Sequence, residues 1–140
     1  MARRSWFEWV LVAVVVAGLA VDAYVHLHLA RDYALVRTRF VSQATLFRAE
    51  GVAAIVAAVL VVGWRSWIAA AFAFLVAAGG TAAVVLLSVV DPGRIGPFPD
   101  MYEPVWFAEK TWSLYGEAAA AVAALALLAR YVAIRGRVLK

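Results

Sequence analysis

Four stretches of this 140-residue chain are each long and apolar enough to cross a lipid bilayer, and that feature limits its fold more than any other. In hydrocarbon every backbone polar group must be bonded within the protein, which leaves helices or closed barrels. A spanning helix needs about 20 apolar residues and a spanning strand about 10. The four stretches cover about residues 9–28, 44–64, 67–90 and 106–129, so each has helical length. Hydrophobic residues make up 66% of the chain, against about 45–50% in soluble domains. The expected fold is all-α, a single four-helix antiparallel transmembrane bundle over residues 1–140.

The connections set the topology. Trp64-Arg65-Ser66-Trp67 is a tight turn, so the second and third helices form a hairpin. The first connection carries Arg31, Asp32, Arg37 and Arg39, and the third, at 91–100, is rich in Pro and Gly. These two longer loops share one side. Trp6, Trp9, Trp64, Trp67, Trp106 and Trp112 fall near helix ends, as an interfacial belt does. Gly79-Gly80, with Ala77 and Ala78, gives the third helix a small face for close packing. Residues 1–20 have the pattern of a signal peptide, Arg3-Arg4 and then an apolar run to Ala20. The apolar character resumes through Tyr24, Val25, Leu27 and Leu29, which favours a full span.

Basic residues are almost evenly divided between the two sides. Arg3, Arg4, Arg65, Arg130, Arg135, Arg137 and Lys140 lie on one, and Arg31, Arg37, Arg39, Arg48, Arg94 and Lys110 on the other. The N-terminal Arg pair and the basic C-terminal tail place both termini in the cytoplasm of a bacterium, with the chain multi-pass in its plasma membrane. The tail reads as a solvated, headgroup-facing segment. The net charge of +4 reads as topology and headgroup attraction. The Arg residues form no dense stripe, so nucleic acid is not an expected partner. The absence of Cys excludes disulfides, thiolate metal sites and cysteine nucleophiles. No phosphate-binding glycine loop or Ser/His/Asp arrangement can be read from the spacing.

Asp22, Glu50 and Glu117 lie inside the apolar stretches, Asp22 and Glu50 about 9 Å and Glu117 about 16 Å from the loop-side ends of their expected helices. A charge at such depth costs at least about 2.5–3.5 kcal/mol, so three in the loop-side halves of these helices mark a polar centre. Helical spacing puts His26 one turn above Asp22 and turns His28 to nearly the opposite side. Gln43, Phe47 and Glu50 share a face, with Arg48 beside it; Lys110, Ser113 and Glu117 share another. The expected result is a polar funnel open toward the loops and closed by the apolar run 118–129, with no through-pore.

Three readings of this centre follow. In the structural one, Arg48 and Lys110 neutralise Glu50 and Glu117, Asp22–His26 is a third pair, and the bundle is an accessory subunit with a protein partner or a homo-oligomer. In the second, Asp22, His26, Glu50 and Glu117 hold a divalent transition metal, Zn, Mn or Fe. The paired Glu-x-x-His signature of di-metal bundles is missing, and haem on His26 or His28 is less well supported. In the third, Tyr24, Gln43, Arg48, Lys110 and Ser113 orient a small-molecule or lipid ligand between the helices. The leading expectation is a non-enzymatic binding protein for a metal ion or small lipophilic ligand. A membrane enzyme or proton-coupled transporter comes last, because no inverted repeat is visible.

The run His26-Leu27-His28-Leu29 closing the first helix, followed after a charged loop by Gln43, resembles a set of small four-helix bacterial membrane proteins. The likeness covers the first third of the chain. A Gly-Tyr-Arg-His loop is expected after the motif in that set, and Arg31-Asp32-Tyr33-Ala34 departs from it. The resemblance implies four helices and brings no activity with it.

Overall fold

The computed structural model describes residues 3–139; Lys140 of the basic tail lies outside them. Four helices account for most of the chain: α1 (Trp6–Leu29), α2 (Gln43–Gly63), α3 (Trp67–Val89) and α4 (Ala108–Val138). A short 3₁₀ turn, Ala30–Tyr33, follows α1. All four helices are long and apolar enough to cross a membrane.

Serine side chains start the first three helices. Ser5 accepts the Glu8 N–H at 3.2 Å, Ser42 that of Thr45 at 3.1 Å, and Ser66 that of Ile68 at 3.0 Å, each relieving an unpaired amide of a first turn. The Ser5 cap begins α1 three residues before the expected start. At the other end of the chain, α4 runs nine residues past the expected 129. Its extension contains Arg135 and Arg137, whose charges suit a helix C-terminus. Arg135 also lies over the Trp67 ring, 5.6 Å from its centroid.

The helices form a ring in which α1 packs on α2 and α4, and α3 packs on α4, while the α2–α3 seam is the sparsest contact. The core is built mainly of alanine, with Ala54, Ala57, Ala73, Ala77, Ala120 and Ala124 buried beside Val15, Leu19 and Leu127. Such small side chains let backbones approach. Outer faces carry exposed Val52, Ile55, Val59, Leu75, Val122 and Leu125 at mid-helix, the pattern of a bundle whose surroundings are as apolar as its core.

The glycines that set the closest approach differ from those expected. At Gly79 an added Cβ would meet nothing within 4 Å, so this residue packs against no neighbour. The tight crossing lies instead between α1 and α4, at Gly18 and Gly116. A Cβ on Gly116 would sit 2.8 Å from the Gly18 carbonyl oxygen, and one on Gly18 would overlap the Gly116 carbonyl oxygen. Asp22 is one turn above Gly18, and Glu117 follows Gly116, so this crossing also sets their separation.

Candidate functional site

Beside the α1–α4 crossing, Asp22, Glu50 and Glu117 converge as the sequence spacing predicts. Asp22 is fully buried. Its Oδ1 lies 2.6 Å from His26 Nδ1 and accepts the Ser113 hydroxyl at 3.3 Å. His26 Nδ1 is also 3.1 Å from the Asp22 carbonyl oxygen, which fixes the imidazole over its own helix. The ring is held further by an edge-on contact with Phe47, at 5.0 Å between centroids. Asp22 is the common neighbour of Glu50 and Glu117. The Glu117 carboxylate rests against Gly80, where any side chain would collide with it. The small third-helix face therefore packs toward α4 through Ala77 in the core and, at Gly80, accommodates the Glu117 carboxylate.

These oxygens are poorly satisfied. Among the described residues, Asp22 Oδ2, Glu50 Oε1 and both Glu117 oxygens are buried without a hydrogen-bond partner, although buried polar atoms are generally paired. Among the described residues no ion pair reaches Glu50 or Glu117. Arg48 is exposed on the outside of α2. Lys110 points toward the loops and donates to the Glu103 and Val105 carbonyl oxygens, the latter at 3.1 Å. The neutralising pairs expected for Glu50 and Glu117 are thus absent among the described residues, because both cations face away from the acidic layer. Only Asp22–His26 pairs as foreseen.

A cavity of about 500 Å³ extends above this layer. His26, Gln43, Glu50, Lys110 and Ser113 line it, and its walls are otherwise mostly aliphatic and aromatic. Two expected ligand residues fall outside. Tyr24 is 65% exposed and stacks on His28 at 5.5 Å on the outer face of α1, and Arg48 does not line the cavity. Ligand atoms of Asp22, His26 and Glu117 lie within 4.8 Å of one another. Glu50 lines the cavity beside them and stands outside that compact group.

Comparison with protein families, with curated proteins and with solved structures returns no match for this chain. Function must therefore be argued from the residues themselves.

Sequence reasoning missed a second polar cluster, at the opposite end of the bundle. Glu8 is fully buried. It accepts the Tyr131 hydroxyl at 2.8 Å and Arg65 at 2.8 and 3.0 Å. Arg4 and Arg130 approach it at 3.3 and 3.5 Å. Arg4 also donates to the Val61 and Val62 carbonyl oxygens at the end of α2. Arg4, Arg65 and Arg130, which the sequence reads through topology and headgroups, also surround one carboxylate and join α1, the α2–α3 turn and α4. The i,i+4 spacing of Arg4 and Glu8 was the available signal. Glu8 and Asp22 are 14 residues apart on α1, about 21 Å along the axis. Between them lie Val12, Val15 and Leu19, with Ala120, Ala123, Ala124 and Leu127 on α4. The two polar layers are therefore separated by dry core.

Proposed function

We propose that the protein is a membrane-embedded, non-enzymatic binding protein that takes a cation at the Asp22–Glu50–Glu117 layer. The observation that carries this reading is the set of buried carboxylate oxygens without partners. An acidic group of this kind, away from water, is stable only when balanced by positive charge, from protons or from a bound cation. A cation held there would gain charge-assisted contacts from oxygens that currently have none. A cavity on the loop side of this layer, with both termini in the cytoplasm of a bacterium, completes the proposal. The dry core beneath the site favours binding over passage across the membrane.

A second reading makes the cation a divalent transition metal on Asp22, His26 and Glu117. It is favoured by the closeness of their ligand atoms and by a donor set of carboxylates and imidazole that suits Zn, Mn or Fe. His26 would give up its Nδ1 contact with Asp22 to the ion.

Thermal unfolding of the detergent-purified protein tests both readings. A bound cation at one hundred times its Kd raises stability by about 2.7 kcal/mol, and the expected outcome is a rise with an alkylammonium salt or with Zn²⁺ or Mn²⁺. Asp22→Asn is expected to remove that rise while leaving the unliganded transition cooperative. Absence of any cation-dependent shift in the unsubstituted protein would refute the proposal. A rise with the metals alone would select the second reading.

A further inference from the structure

We propose that the cavity is loaded sideways from the bilayer, through the α2–α3 seam, and that its ligand is a lipophilic amine whose ammonium head reaches the carboxylate layer. This rests on the cation reading and specifies the class of cation and its route.

The seam is the sparsest helix contact in the bundle. Ala49 on α2 and Gly79 and Ala83 on α3 line the cavity and are also exposed on the bundle surface. They lie six, ten and six residues inside the loop-side ends of their helices, about 9–15 Å along the axes, at membrane depth. A residue that faces both a cavity and the surroundings marks an opening. These three have the smallest side chains available, so nothing bulky closes it. At Gly79 even an added Cβ would touch nothing within 4 Å.

The other ends are obstructed. Toward the loops, Met101, Glu103 and Phe107 supply the cavity wall. That segment is tied down by the Glu103 N–H on the Leu87 carbonyl oxygen at 2.9 Å and by Lys110 on the Glu103 carbonyl oxygen. The neighbouring loop joins it through the Thr38 hydroxyl on the Pro97 carbonyl oxygen at 2.6 Å. Toward the far side lies the dry core. The funnel expected to open at the loops is lined there by this tied-down segment.

Cavity chemistry selects the occupant. Its volume of about 500 Å³ exceeds what a bare ion needs and falls in the range of organic-ligand sites, roughly 300–1,000 Å³. Leu46, Phe47, Val84 and Leu87 form an apolar wall above Glu50. An aliphatic tail against that wall leaves an ammonium head at Glu50, with Asp22 and Glu117 behind it. An alkyl chain also concentrates the amine in the membrane, where the seam opens.

The test measures affinities and association rates of dodecylamine, methylammonium and Mn²⁺ with the full chain in phosphatidylcholine nanodiscs, corrected against empty discs. Gly79→Trp and Ala83→Trp plug the seam, and Gly63→Ala, at the far end of α2 where an added Cβ meets nothing within 4 Å, serves as a control. Dodecylamine is expected to bind the unsubstituted protein and Gly63→Ala, and its association is expected to slow about tenfold or more in both Trp variants. Methylammonium, which has no tail to place, is expected to keep its affinity there and so report an intact site. An unchanged dodecylamine association rate in both Trp variants would overturn the lateral route. Binding of Mn²⁺ but of neither amine would overturn the lipophilic amine and leave the cation reading standing. Binding of no cation to the unsubstituted protein would overturn both.

Discussion

Replacing Glu8 by alanine is expected to destabilise the bundle by about 3 kcal/mol, the lower end of the range for removing one member of a buried charge cluster. Three guanidinium groups and the Tyr131 hydroxyl converge on this carboxylate. Removing it leaves their positive charges facing one another. Arg65 and Arg130 side chains are 30% and 35% exposed, so both can recover part of the loss from water or headgroups, which keeps the effect from the top of the range. Arg4, only 8% exposed, recovers least. Unfolding in mixed micelles should show the loss. A change under about 0.5 kcal/mol, the scale of an exposed pair, would mean that the cluster does not fasten the helix ends.

Gly18→Val is expected to cost a comparable amount, about 3 kcal/mol, the upper end for an overpacked core. Its Cβ would overlap the Gly116 carbonyl oxygen and sit 2.9 Å from the Ala120 Cβ. Backbone and a buried alanine cannot rotate aside, so α1 and α4 must separate. Because Asp22 and Glu117 flank this crossing, the substitution should also weaken cation binding, whereas Gly63→Val, where an added Cβ meets nothing within 4 Å, should alter neither. Equal behaviour of the two variants would show that the crossing does not set the site.

Much of this architecture was legible in the sequence. Apolar length specifies a spanning helix almost by itself, and Trp64-Arg65-Ser66-Trp67 could only be a tight turn. Asp22, Glu50 and Glu117 stood out because ionisable residues in such stretches are costly, and i,i+4 spacing placed His26 over Asp22. What was not legible depends on helix rotation and on side-chain direction. Lys110 shares a helical face with Glu117, but its flexible stem runs the other way, to carbonyl oxygens of a loop whose path the sequence does not specify. Arg48 is two residues from Glu50 and turns outward because helical positions two apart diverge by about 160°. Gly18 and Gly116 look unremarkable in their own helices and acquire meaning only when the two cross. Glu8 was hidden by its position, since a residue two from a helix start is ordinarily solvated, and only the convergence of Arg65, Arg130 and Tyr131 buries it.

The central claim is that the buried carboxylates form a cation site, and the most direct measurement is a cation titration of the protein and its Glu117→Gln variant in nanodiscs, followed by native mass spectrometry. Glutamine keeps the shape against Gly80 and removes the acceptor charge. The account predicts one bound cation per chain, with affinity lowered about tenfold or more in the variant, a loss of at least about 1.4 kcal/mol, while the unfolding transition is retained. Equal affinity in both proteins, or no bound cation in either, would contradict it.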